Sequence, residues 1–282
     1  MRRALALLTI AIAACALDES GLGGAAGDDA SGAEGSTLDA ALDAPMDATA
    51  DASPDATDAA ASDASQAACV AVCTDPNATC KNGTCTYDCT ANGACASGVT
   101  CPAGVPCEID CGYTSCGALD CSKSSSCVID CAGGGGSECV GNVKCGGSSC
   151  TLHCGYNSCQ HDVTCTADKC DVTCDAVSCR GNVTCGGSAC DVVCGDQACS
   201  GNVTCTATAS CTIGCNGSPS CSGTVQSGAQ TSTLCCNGSG SCSGKVSCAQ
   251  TSCTAACLNT PSCTGGVACT AKTCVLDAST CP

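Results

Sequence analysis

The sequence predicts an all-β chain, a disulfide-stapled parallel β-solenoid of about 20 residues per turn that follows a disordered linker. Three observations carry that prediction. Residues 145–204 speak one phrase three times, CGGSSCTLHCGYNSCQHDVT, CTADKCDVTCDAVSCRGNVT and CGGSACDVVCGDQACSGNVT, with four cysteines in one spacing. A fixed period of this length marks a repeat whose turns bury their apolar side only against one another. Cysteine fills 41 of 282 positions, whereas Trp and Phe are absent and Tyr occurs three times. Bridges must therefore replace the aromatic mass of an ordinary core, which requires an oxidising compartment. Finally, apolar residues alternate with polar ones between the second and third cysteines of each phrase, the period of a strand.

The chain opens with Met1-Arg2-Arg3, a short basic start, and an apolar run over residues 4–14. That run is too short to span a bilayer and reads as a secretion signal. It ends in Ile12-Ala13-Ala14-Cys15, which resembles the lipobox of bacterial lipoproteins: an aliphatic residue, two small ones and a cysteine. The resemblance implies that residues 1–15 are a lipoprotein signal peptide, that Cys15 is lipidated and becomes the mature N-terminus, and that acyl chains hold the protein in the bacterial cell envelope, exposed to the periplasm or the cell surface.

Residues 16–68 have no hydrophobic period; they hold twelve acids and neither Lys nor Arg. Such a composition buries too little apolar surface to fold and reads as a disordered acidic linker rich in Ala and Asp. Asp39, Asp43, Asp47, Asp51 and Asp55 would stack like charges on one face of a helix, and Pro45 and Pro54 would break it. No helix is expected after Cys15. As a flexible chain the linker spans about 40 Å, and its Ala/Asp bias resembles the tethers of lipoproteins from GC-rich soil bacteria. The net charge is −17, and the cysteine-rich part has fourteen acids against seven bases, or −7. No basic patch remains to grip nucleic acid.

Residues 69–79 are off-period and read as a capping segment that contains Cys69 and Cys73; residues 80–282 form the solenoid. The spacing locates units that begin at Cys80, Cys101, Cys121, Cys145, Cys165, Cys185, Cys205, Ser227, Cys248 and Cys269, nine full units and a stub, with an insertion over residues 133–138. One strand per unit points its second cysteine, a middle apolar residue and its third cysteine inward. The middle residues are Tyr87, Ile109, Ile129, Leu152, Val172, Val192, Ile213, Leu234, Ala255 and Leu276. A second, shorter strand precedes each first cysteine and carries Val99, Leu119, Val143, Val163, Val183, Val203, Val225, Val246 or Val267. Turns rich in Gly, Ser and Asn join the strands. The second and third cysteines lie about 13 Å apart along one strand, beyond the reach of a disulfide. First pairs with second and third with fourth, which gives Cys145 with Cys150, Cys154 with Cys159, Cys165 with Cys170, Cys174 with Cys179, Cys185 with Cys190 and Cys194 with Cys199. In the unit at Ser227 the first and second cysteines are lost together, replaced by Ser227 and Ser232, as bonded partners should be. Cys235 and Cys281 fall outside the scheme: they pair with each other, or Cys235 is a free thiol. The start at Cys69 resembles an EGF-like module, and tandem EGF-like knots are the alternative fold.

Candidate chemistry is sparse. No two cysteines have the two-residue gap of zinc or thioredoxin-like sites. Asp88, Asp110 and Asp130 recur beside the third cysteine in successive turns, with Glu108 nearby; stacked carboxylates splay into water or recruit a cation such as calcium. Asp171 and Asp191 occupy the other outward position. Asn142, Asn182 and Asn202 recur in place and suit a stacked turn ladder. Thr164-Cys165-Thr166 and Thr204-Cys205-Thr206 resemble the motif of insect cysteine-rich ice-binding solenoids, whose array is interrupted here by Pro102, Asp120 and Lys144. His153 and His161 sit in no nucleophile motif. The expected role is a lipid-anchored structural or adhesive surface rod without catalysis or cofactor. The alternative is a binding module for a regular surface or a cation: ice, mineral, polysaccharide or calcium. The partner is a membrane through the lipid, plus a surface or protein the sequence does not name.

Overall fold

The computed structural model describes residues 56–133, 135–259 and 261–276. The signal, Cys15, the linker through residue 55 and Cys281 lie outside the described residues.

The first described element is a helix, α1 (Ala56–Val72), which corrects the expectation of no helix after Cys15. It runs through the last part of the segment read as linker. Alanine, the best helix former, dominates it downstream of Pro54. A free helix of about this length is marginal in water. This one is held to the next hairpin by the bridges Cys69–Cys80 and Cys73–Cys85. Gln66 donates to the Cys80 carbonyl and accepts the Gly83 N–H. The hairpin strands Ala78–Lys81 and Thr84–Cys89 meet at Asn82-Gly83, both with positive φ, the turn chemistry that two-residue hairpins favour. Cys80 and Cys85 are therefore not a first-to-second pair as the spacing implied. They lie opposite each other on the hairpin and each bonds back to the helix.

Beyond the hairpin the chain is a parallel β-solenoid. Among the described residues one sheet has eleven strands, including the hairpin, and the other nine, so the coil makes about nine turns. Strand Lys169–Cys174 pairs in parallel with Ser149–Cys154 and Ala189–Cys194, which sets Val172 between Leu152 and Val192. Strand Val183–Cys185 of the shorter sheet does the same between Val163–Cys165 and Val203–Cys205. At about 4.8 Å per strand the coil is roughly 45 Å long.

The core is the narrow space between the sheets. The middle residues from Tyr87 to Ala255 are buried, as are the opposing residues from Val99 to Val246, and half-buried Val267 closes the row. Leu276 departs from expectation: it is 72% exposed, because the last described strand, Thr273–Val275, stops before it. Tyr87 fills the first layer, and its hydroxyl donates to the Thr100 carbonyl.

Sulfur bridges close both corners of nearly every turn. Cys145–Cys150, Cys165–Cys170 and Cys185–Cys190 join the end of a short strand to the start of a long one. Cys154–Cys159, Cys174–Cys179 and Cys194–Cys199 clamp the corner after the long strand. These are the pairs that the spacing predicts. Bridges of successive turns stack, with Cys101 Sγ 3.0 Å from Cys121 Sγ. Where a bridge is missing, Ser227 and Ser232 occupy the same buried corner, and their hydroxyls hydrogen-bond at 2.7 Å.

Two turn devices escaped the sequence reading. A serine before the fourth cysteine turns its hydroxyl back onto the carbonyl that follows the third, as in Ser115 to Gly112, Ser158 to Gly155 and Ser178 to Asp175. From Cys159 onward the fourth cysteine itself takes positive φ, 48° at Cys159 and Cys179. Two residues after the fourth cysteine, Gly201 and Gly223 allow close stacking, since a Cβ on either would lie 2.3 Å from the carbonyl oxygen of the equivalent residue one turn earlier.

Candidate functional site

In-register stacking brings chemically alike side chains together on the outward faces. The first such column runs along the longer sheet: Asp88 lies opposite Asp110, Asp110 opposite Asp130, and Asp130 opposite His153. Burial among these neighbours pushes the Asp110 carboxyl above its usual range, and the charges of Asp130, Asp88 and Glu108 push it further. Asp88 moves the other way, because the Thr90 hydroxyl and N–H both donate to its carboxylate. Glu108 stands in the adjacent column, between Thr86 and Val128. His153 interrupts the carboxylate column and is bracketed by two acids: its Nε2 is 3.0 Å from Asp175 Oδ2 and its Nδ1 3.6 Å from Asp130 Oδ1. Asp175, the residue after a third cysteine, was not singled out from the sequence because it lies in a turn and off the strand period. Among the described residues Asp88, Asp110 and Asp130, with Glu108 in the adjacent column, form an oxygen-rich set of the kind that a hard cation such as calcium favours.

A second surface is a shallow concavity of about 400 Å³ on the same sheet, lined by Thr151, Lys169, Asp171, Asp191, Ser210 and Thr212. Asp171 and Asp191 are register partners. Burial raises the pKa of Asp191, and the charge of Asp171 adds to the rise. Further along, Thr212, Thr233 and Thr254 line up, beside Ser210, Thr231 and Ser252.

On the shorter sheet Thr164, Thr184 and Thr204 stack in register. Thr166 and Thr206 do not extend that array. Their hydroxyls donate to the carbonyls of Cys145 and Cys185 in the preceding turn. The Asn column is structural: Asn142 accepts the Asp162 N–H, Asp162 accepts from Asn182, Asn182 accepts the Asn202 N–H, and Asn202 accepts from Thr224. His161-Asp162 thus stands where neighbouring turns carry Gly141-Asn142, Gly181-Asn182 and Gly201-Asn202, with Asp162 acting as the asparagine would.

Every cysteine among the described residues is disulfide-bonded, Cys235 included. That removes the free-thiol alternative for Cys235, whose bonding partner is not among the described bridges. Cys235 is on the outward side of its strand yet buried, flanked by Gly214 and Ala256. Cysteine trios such as Cys89, Cys95 and Cys116 have sulfurs within 4.8 Å, but these are stacked bridges rather than thiolate ligands.

No protein-family model, curated protein or solved structure matches the chain. The fold and its surface define a class, a cysteine-rich parallel β-solenoid whose outward faces carry columns of carboxylates and hydroxyls.

Proposed function

We propose that the protein is a lipid-anchored component of the bacterial cell envelope, in which Cys15 holds the chain to a membrane and the solenoid serves as a rigid structural or adhesive element without catalysis. The observation that carries this reading is the bridging of both corners turn after turn, which replaces a thick apolar core with crosslinks that survive outside the cell. Small loops closed this way each constrain the unfolded chain by about 2 kcal/mol in the entropic model. The lipobox-like Ile12-Ala13-Ala14-Cys15 supports the anchor, and the acidic linker supports a stand-off from the membrane. The test is to express the full chain in a bacterium fed labelled palmitate. Incorporation that Cys15→Ser abolishes, with release of a protease-resistant protein into the soluble fraction, is the expected result; a soluble, unlabelled wild-type chain refutes the anchor.

A second reading, a binding module for ice, mineral, polysaccharide or calcium, is favoured by the in-register columns of Asp88, Asp110 and Asp130 and of Thr212, Thr233 and Thr254. Thermal hysteresis, and melting with and without calcium, separate it from a purely structural role.

A further inference from the structure

The chain has three aromatic side chains, all tyrosine. Tyr87 is in the core, but Tyr113 and Tyr156 are 55% and 56% exposed. Both belong to the same six-residue phrase, Cys-Gly-Tyr-x-Ser-Cys, at residues 111–116 and 154–159. The two phrases fold alike. Each is closed by a disulfide, Cys111–Cys116 or Cys154–Cys159. In each the serine donates to the glycine carbonyl, and the residue after the tyrosine has positive φ, 47° at Thr114 and 59° at Asn157. Equivalent turns therefore hold the two tyrosines at the same corner of the coil. They are two turns apart, about 9.6 Å at the ~4.8 Å spacing of neighbouring strands.

The turn between them carries the insertion. Its Gly136 lies against the Tyr113 ring so closely that a Cβ there would meet the ring at 2.1 Å. Its Ser137 accepts a hydrogen bond from Asn157 Nδ2 at 3.0 Å, beside Tyr156. The insertion therefore ties the two tyrosine turns together and places small residues where a third ring would otherwise stand. Neutral donors and acceptors border the pair: Thr114 bonded to Asn92, and Gln160 bonded to Asn157. On the sheet side the border is the carboxylate column of Asp88, Asp110 and Asp130.

We infer that Tyr113 and Tyr156 form a binding platform for an uncharged, extended polysaccharide of β-1,4-linked pyranose rings. Each tyrosine offers a flat apolar face and a polar rim, which suits the apolar face and equatorial hydroxyls of such a sugar. Two turns match the length of about two rings in an extended chain. In that chain alternate rings are flipped, so rings one and three present the same face to the protein and ring two the opposite face. The surface has the same rhythm, with tyrosine, glycine-rich insertion and tyrosine. The adjacent carboxylates repel an anionic polymer. This site rests on the adhesive or binding role proposed above and gives it a ligand class.

The experiment is retention of the full-length oxidised protein on microcrystalline cellulose and on chitin, with soluble polygalacturonate as the anionic comparison. Retention on at least one neutral polymer and none on polygalacturonate is expected. Tyr113→Ala and Tyr156→Ala should each weaken it about tenfold, the loss of one stacking contact, while Tyr→Phe at either position retains most of it. The double alanine variant should lose retention with its disulfide map and melting temperature unchanged. Retention on neither neutral polymer overturns the inference and leaves the pair to a protein partner. Retention that survives the double substitution overturns it as well. A protein that fails to bind yet remains lipid-labelled and protease-resistant refutes the platform alone and leaves the anchored rod standing.

Discussion

Ser227 and Ser232 permit a direct test of whether corner bridges stabilise each turn separately. Their positions are in register with the bridged pairs Cys205–Cys211 and Cys248–Cys253, whose Cα separations are 6.5 and 6.2 Å. The serine hydroxyls already touch at 2.7 Å. Replacing both by cysteine closes a loop of about six residues, worth about 2 kcal/mol in the entropic model. The lost serine–serine hydrogen bond costs about 1 kcal/mol. The net gain is therefore about 1 kcal/mol, or about fivefold slower local opening. Because a solenoid turn contacts only its neighbours, the gain should be confined to that region. The assay is non-reducing peptide mapping, followed by hydrogen exchange at the strands Val225–Ser227 and Thr231–Cys236. Two engineered thiols that stay reduced in the folded protein, or a bridge that forms without slowing exchange there, would refute the reasoning. Ser227→Ala alone should act in the opposite direction by about 1–3 kcal/mol, since Ser232 is then left buried without its partner hydroxyl.

Three further outcomes follow from the same structure. Gly201→Ala places a Cβ 2.3 Å from the Gly181 carbonyl oxygen and should lower stability by about 1–3 kcal/mol, read as a fall in the denaturant midpoint. Val177 holds a φ of 63°, costly for a β-branched residue, where the equivalent position one turn earlier is Asn157. Val177→Asn should therefore gain about 1 kcal/mol, and an unchanged or lower melting temperature would contradict this. The Asp110 carboxyl titrates above its usual range, because burial and then Asp130, Asp88 and Glu108 oppose its charge. The folded chain thus holds that proton more tightly than the unfolded chain. Its stabilising contribution is present below the ordinary carboxylate value and is lost as pH rises through the raised one. Asp110→Asn should raise the melting temperature at pH 7 and leave it nearly unchanged near pH 3; equal effects at both values would refute that account.

Legibility differed from element to element. The strands of the repeat, the inward row from Tyr87 to Ala255 and the corner pairs such as Cys174 with Cys179 could all be read from spacing alone. Each depends on a few neighbouring residues: strand parity sends alternate side chains inward, and an extended chain keeps second and third cysteines apart. Helix α1 could not be read that way. Its alanines signal a helix, but its acidic surroundings signal disorder, and the outcome turned on Cys69 and Cys73 reaching Cys80 and Cys85 across the hairpin. The acidic column was visible as a recurrence of Asp88, Asp110 and Asp130, whereas the closing contact from Asp175 to His153 comes from the next turn.

By itself the sequence determined the period, the class of fold, the inner faces and the covalent frame, because a repeat with cysteines at fixed short intervals encodes them locally. Only the tertiary structure decided which surface residues become neighbours: Asp175 with His153, Ser137 with Asn157, Tyr113 with Gly136. Those contacts join residues about 20 positions apart, and their distances are set by how one turn stacks on the next.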